Sequence, residues 1–188
     1  RRLLAHLDLH VPLTSCPQER EAERAERILD DVRSGRAVAL VTDAGMPAVS
    51  DPGARAVTRC RQEGLPVHLV PGPSSVTAAL ALSGLAGGGH HCAGFLPRKH
   101  GRRRRVLEDL AAMPVPSVIF ESPERLLRLL GELEEVLGDR TVFIGRELTK
   151  LHEEQLWGSP AELAQTLEGR RIRGEVVLVL GADKRKPG

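Results

Sequence analysis

The stretch AVALVTDAGMP (37–47) decides how the fold is read. Ala37 to Val41 is a short continuous apolar run, the pattern of a strand buried on both faces of a parallel sheet. It stops at Thr42-Asp43-Ala44-Gly45-Met46-Pro47. In α/β sheets, ligands collect beyond the carboxyl ends of strands, where loops present backbone groups. Gly45 permits close backbone approach, and Asp43 can accept bonds from a ligand amine or hydroxyl or from its own backbone. Working backwards, Ser15-Cys16-Pro17-Gln18 has capping-box spacing, and Ala22, Ala25, Ile28, Leu29 and Val32 follow at helical intervals until Gly35. Working forwards, Asp51-Pro52 reads as N-cap and first residue of a helix to about Glu63. Val67 to Val70 is the next strand, Pro71-Gly72-Pro73 a turn, and Ser74 the cap of a small-residue helix through about Leu82. This half is βαβα. Its second strand also runs into a loop that offers backbone N–H groups and the hydroxyls of Ser74 and Ser75; simple N-capping by Ser74 is the bland alternative.

GLAGGGHH (84–91) is the weakest stretch for regular structure, and the domain boundary is placed there, giving domains 1–85 and 86–188. Beyond it, Arg102 to Met113 reads as a helix and Ser117 to Phe120 as a strand. Ser122-Pro123 opens a helix rich in leucine that Gly138 stops, and Arg140 to Ile144 is a further strand. Ser159-Pro160-Ala161-Glu162 is a capping box with proline at the first helical position, and Glu175 to Leu180 is the last strand. The fold class is α/β in two small units, with no internal repeat.

Composition removes several function classes. The 188 residues carry 27 Lys and Arg against 25 Asp and Glu, a net charge of +2, and are 41% hydrophobic, which is ordinary globular material. No apolar run approaches the roughly 20 residues that cross a bilayer, and no signal peptide is expected. Three widely spaced cysteines (Cys16, Cys60, Cys92) argue against a disulfide framework or zinc finger and suit a reducing cytoplasm. Aromatics make up 2% with no tyrosine, which excludes an aromatic platform for single strands. The histidines lack metal-ligand spacing, so no metal is expected, and there is neither GxxxxGK[ST] nor GxGxxG.

Positive charge is concentrated in PRKHGRRRR (97–105), where Arg98, Lys99, Arg102, Arg103, Arg104 and Arg105 leave the rest of the chain net negative. Phosphate backbone is the natural partner of such a patch, through counterion release. Cations at a helix start oppose the macrodipole, which stability alone would not select; a solvated charged face is the alternative. Arg146-Glu147-Leu148-Thr149-Lys150 follows a strand and reads most simply as a local ion pair.

In order along the chain, ALVTDAGMPAVSDPG (39–53), VPGPSS with TAALALSGL (70–85), GFLPRKHGRR (94–103), IFESPERL (119–126), RELTKLHEE (146–154) and RGEVVLVLG (173–181) resemble the ribosomal RNA small subunit methyltransferase I family, within the tetrapyrrole methylase superfamily. The resemblance implies a two-domain tetrapyrrole methylase-like fold and S-adenosylmethionine-dependent 2'-O-methylation of a cytidine ribose in 16S rRNA. The substrate is the RNA or the assembled small subunit, the enzyme a cytoplasmic homodimer, the donor folded into the cleft between domains. It also implies a strand and Pro-Ile-Gly-Asn loop before Arg1 and a region after Gly188, and Met46 stands where threonine is more usual. Donor contacts are expected at Asp43, Ala44, Gly45, Met46, Val49, Ser74 and Ser75 and near Glu121 and Leu148. Glu121 and Glu147 are both candidates for the base, and Lys150 joins the basic loop as an RNA contact. Two alternatives stay open: a tetrapyrrole-precursor C-methyltransferase, and a nonenzymatic RNA-binding module, which would ignore S-adenosylmethionine.

Overall fold

The computed structural model describes residues 2–183, and the chain divides into two compact units between Pro73 and Ser74. The first contains α1 (Arg2–His6), a 3-10 turn (Gln18–Arg20), α2 (Glu21–Arg33) and α3 (Ala54–Gln62). The capping box expected at Ser15 does not form: Pro17 precedes the 3-10 turn in extended conformation and no side chain caps it. Proline also disfavours helical geometry at Cys16, so the helix cannot start earlier. Gly35, in left-handed conformation (φ 82), stops the chain after α2 as expected.

Asp51 is likewise not a cap. The helix begins at Ala54 behind Gly53, whose φ is 136. A Cβ on Gly53 would lie 2.4 Å from Leu40 Cδ2, so only glycine lets the chain pass there. The cap comes from the neighbouring helix: Glu21 Oε1 accepts from the backbone N–H groups of Gly53 (2.9 Å) and Arg55 (3.1 Å). Ala25 and Leu29 of α2 are buried, as are Ala56 and Cys60 of α3, and the two helices pack together.

The expected strands at 37–41 and 67–70 are corrected. Among the described residues this unit holds no strand. Val41 and Leu69 are each 71% exposed and Val70 87%. An apolar run supplies a tendency to bury; a strand also needs a second backbone to take its N–H and C=O groups.

The second unit is a five-stranded sheet with helices on both faces. Its elements are α4 (Ser75–Ser83), β1 (His91–Phe95), α5 (His100–Ala111), β2 (Ser117–Glu121), α6 (Pro123–Leu137), β3 (Val142–Arg146), β4 (Glu154–Gly158), α7 (Pro160–Leu167) and β5 (Val176–Leu180). The strand order is β1-β2-β5-β3-β4. Only the β1–β2 pair is parallel, joined through α5; the other pairings are antiparallel. β5 is central and buried throughout. Its alternation sends Val176, Leu178 and Leu180 into a core with α5, α6 and α7, and Val177 and Val179 into a second core under α4. Each such side chain contributes about 1.5–3 kcal/mol of burial.

The helix starts of this half follow local rules. Ser159 and Glu162 form the full capping box, with Pro160 at the first helical position. Gly138 ends α6. α4 differs from expectation in its company: Val76, Ala79 and Leu80 pack with Val118, Phe143, Val177 and Val179, so it belongs with the sheet that follows. β1 and β4, absent from the sequence reading, are the two edge strands, each interrupted or ended by glycine.

Candidate functional site

In the first unit, the two expected donor loops face each other. Thr42 Oγ1 donates to the Gly45 carbonyl (2.8 Å) and closes the turn, and the Asp43 carboxylate is without a hydrogen bond among the described residues. Gly45 has φ 74, and a Cβ there would meet Pro73 O at 3.9 Å; a Cβ on Gly72 would meet Met46 Sδ at 3.3 Å. Loops 45–46 and 72–73 are therefore neighbours. Asp43, Ala44 and Gly45 are exposed, Met46 is half-buried and Val49 is exposed. Ala48 (φ 66) and Ser50 (φ 63) are left-handed without being glycine. Each such residue costs about 1–3 kcal/mol, strain of a kind that gathers at ligand sites.

Ser74 precedes α4, yet its hydroxyl makes no capping bond. Thr77 Oγ1 instead donates to the Ser74 carbonyl (3.1 Å). The hydroxyl that the bland reading assigned to the helix is therefore not used by it, and the first N–H groups of α4, from Ser75 onward, have no side-chain cap.

Glu121 ends β2 and is buried. Its Oε1 accepts from Ser122 N (2.7 Å) and Arg125 Nε (2.7 Å), and Arg125 Nη2 pairs with the same oxygen. Oε2 makes no hydrogen bond among the described residues. Glu147 follows β3 in a strained turn, with φ 49 there and 67 at Thr149. Its Oε1 accepts from Glu175 N (2.9 Å) and Lys150 Nζ (2.9 Å). These contacts, the Glu175 N–H first, hold its carboxyl below the ordinary carboxylate range. Leu148 lies over Gly145, where a Cβ would meet it at 2.9 Å, and packs against the second core. Lys150, expected to face RNA, is paired with Glu147 and Glu175.

The basic segment 98–105 splits in two. Arg103, expected on the surface, is buried (4% exposed) and forms a two-pronged ion pair with Glu132 of α6, Nε to Oε2 at 2.5 Å and Nη2 to Oε1. Its Nη1 donates to the Arg98 carbonyl (3.3 Å). The cause is visible in spacing: Arg103, Leu107 and Leu110 are the buried residues of α5, one helical face. That stripe was the missed signal, as was Glu132 among the leucines of α6. The Glu132 carboxyl is held below its ordinary value, the Arg103 hydrogen bond being the main cause. Arg104 pairs with Glu108 (2.8 Å) and with Glu135. Arg98, Lys99, Arg102 and Arg105 are exposed and, among the described residues, have no carboxylate within ion-pair distance.

No group of three or more His, Cys, Asp or Glu among the described residues is placed to hold a metal ion, Cys16, Cys60 and Cys92 are free thiols, and no described helix is long and apolar enough to cross a membrane. A cavity of about 520 Å³ in the second unit, lined by Gly84, Leu85, Arg140, Thr141 and Gly181 among others, lies by the start of β3 and end of β5, at the opposite sheet end from Glu121.

Comparison with known proteins agrees with this architecture. The family of Tetrapyrrole (Corrin/Porphyrin) Methylases matches residues 2–164. A Thermotoga maritima protein, ribosomal RNA small subunit methyltransferase I, is 44% identical over 178 residues, covering 95% of this chain and 80% of that one. The protein of the same name from Halalkalibacterium halodurans is 38% identical, covering 99% of this chain and 64% of its own length. Among solved structures, uroporphyrin-III C-methyltransferase from Thermus thermophilus, complexed with S-adenosylhomocysteine, has a TM-score of 0.57 at 22% identity over 86% of this chain and 73% of that one. At that identity the likeness concerns the fold.

Proposed function

Since the chain belongs to the tetrapyrrole methylases, on the ribosomal RNA small subunit methyltransferase I branch, we propose that it methylates small-subunit ribosomal RNA from S-adenosylmethionine, at the 2'-oxygen of a cytidine ribose in 16S rRNA. One observation carries the RNA reading over a small tetrapyrrole: segment 98–105 leaves Arg98, Lys99, Arg102 and Arg105 exposed and uncompensated while its other arginines are paired. An extended polyanion suits cations spread along a surface.

For the donor, the residues proposed are Asp43, Ala44, Gly45, Met46 and Val49 of the first unit, and Ser74 with its unused hydroxyl, Ser75, Glu121 and Leu148 of the second. The exposed, side-chain-free backbone at Gly45 fits such a ligand. When bound, S-adenosylmethionine supplies a methyl on a sulfonium, already activated for transfer. The protein's task is then to align the ribose oxygen and hold it there. A base takes the hydroxyl proton as the oxygen attacks. Glu121 and Glu147 are both candidates for it: each is bonded through Oε1 to a backbone N–H and a cation, Ser122 N and Arg125 for Glu121, Glu175 N and Lys150 for Glu147, which leaves Oε2 of each without a hydrogen bond among the described residues. The free thiols of Cys16, Cys60 and Cys92 suit the cytoplasm, and we extend the reading to a homodimer, to be checked by sedimentation.

The test is transfer of tritiated methyl from S-adenosylmethionine to purified small subunits. Label is expected in 2'-O-methylcytidine after digestion. Label on no RNA, or on an added tetrapyrrole precursor instead, overturns the reading. Gly45→Val, monitored for retained folding, is expected to lower donor affinity roughly tenfold, about 1.4 kcal/mol, by calorimetry.

A further inference from the structure

The cations of the second unit sort into paired and unpaired with unusual clarity. Within 74–183, every Lys or Arg has a carboxylate partner except Arg98, Lys99, Arg102, Arg105, Arg171 and Arg173. The first four belong to the basic segment. The last two lie on the connection between α7 and β5, EGRRIRGE (168–175), which no other feature of the site explains.

Topology brings the two groups to one edge. Phe95, the last residue of β1, is in register with Phe120 of β2, and the next residue, Glu121, with Val176, the first of β5. The chain leaving β1 toward Arg98 and the chain entering β5 from Arg173 therefore emerge at the same end of the sheet. β1 and β5 are two strand spacings apart, about 10 Å. Glu121 ends the strand between them.

The connection is also braced. Arg170 Nη2 pairs with Glu154 (2.5 Å), and Arg146 Nη1 donates to the Arg173 carbonyl (3.1 Å). Glu147 N donates to the Glu175 carbonyl (3.0 Å). Ile172 packs against the first core, so the side chains on either side of it stay exposed. A loop built only for solubility has no need of a half-buried apolar anchor between two outward arginines.

We propose that Arg171 and Arg173 form a second phosphate-contacting segment, extending the RNA-binding surface of 98–105 across the end of the sheet beyond Glu121. This rests on the RNA reading above. Phosphate backbone, whether of free 16S rRNA or of RNA in the assembled subunit, is the shared ligand chemistry.

The experiment measures binding to deproteinised small-subunit RNA and to intact small subunits between 50 and 200 mM KCl. Arg171→Gln with Arg173→Gln is expected to reduce the magnitude of the salt slope by about 1.4 to 1.8 on both probes. Arg171→Lys with Arg173→Lys should keep the parent slope. Arg27→Gln with Arg55→Gln, which removes the same charge from exposed positions of the first unit, should leave it nearly unchanged. A slope in the glutamine variant equal to the parent's or to this control's overturns the proposal while the RNA reading stands. A loss on intact subunits alone would assign the segment to a ribosomal protein and overturns it too. A parent that binds neither probe overturns the RNA reading itself.

Discussion

Two helix pairs in this molecule are fastened by the same chemical device in different surroundings. Arg33 of α2 grips Glu63 just after α3 with Nε to Oε2 at 2.8 Å and Nη2 to Oε1 at 2.6 Å, the side chains 43% and 27% exposed. Arg103 of α5 grips Glu132 of α6 by the same two prongs, with side chains 5% and 10% exposed. In the first case water screens both charges, and folding changes their energy little. In the second, both have been taken out of water, so the pair is indispensable once formed without being a net source of stability. The second fork also holds the Arg98 carbonyl, and so sets where the exposed cations begin.

The largest effect should come from leaving one buried charge alone. Glu132→Gln is expected to cost about 3–5 kcal/mol in chemical denaturation, whereas Arg103→Met with Glu132→Leu should recover most of that. If the double replacement is as damaging as the single, burial is not what separates the two forks. Next in size is Leu178→Ala in β5, expected to cost about 2–5 kcal/mol by cavity formation in the completely buried strand. The pH dependence comes third. Glu132 has a folded-state pKa lowered from 4.5, so its stabilisation is complete above that value and is lost as pH falls through the folded pKa. Glu132→Gln should therefore flatten the acid limb of a stability–pH curve, and an unchanged limb would remove Glu132 from it. The smallest effect is Glu63→Gln, at most about 1 kcal/mol and smaller still in high salt.

The fold was legible where its causes are local. The Ser159–Glu162 box, the Pro123 start and Gly138 stop of α6, and the helix through Leu29 ending near Gly35 each depend on residues within one or two turns. It was not legible where backbone meets backbone across the chain. AVALV (37–41) and VVLVL (176–180) look alike as sequence, yet only the second lies between β2 and β3 and becomes a strand. β1 and β4 were missed for the opposite reason: their glycines and exposed positions hide strands defined by their neighbours. At the site, the loops at Gly45 and Gly72 were readable because a turn beyond an apolar run is a local pattern. Arg103 was not separated from its five neighbouring cations, since charge counting ignores the 3.6-residue period that places it with Leu107.

The cap of α3 by Glu21 has a consequence for how the first unit assembles. A helix of nine residues without a capping side chain of its own is too short to persist alone. Its first N–H groups are satisfied only when a carboxylate more than thirty positions earlier has already arrived. Docking of α2 and ordering of α3 are then one event rather than two, and α2 acts as a template on which the later helix is nucleated. The same carboxylate ties the Gly53 turn, and through it the passage beneath Leu40, to that event. The geometry of the loop 42–53 is thus set by a residue that touches neither Gly45 nor Met46.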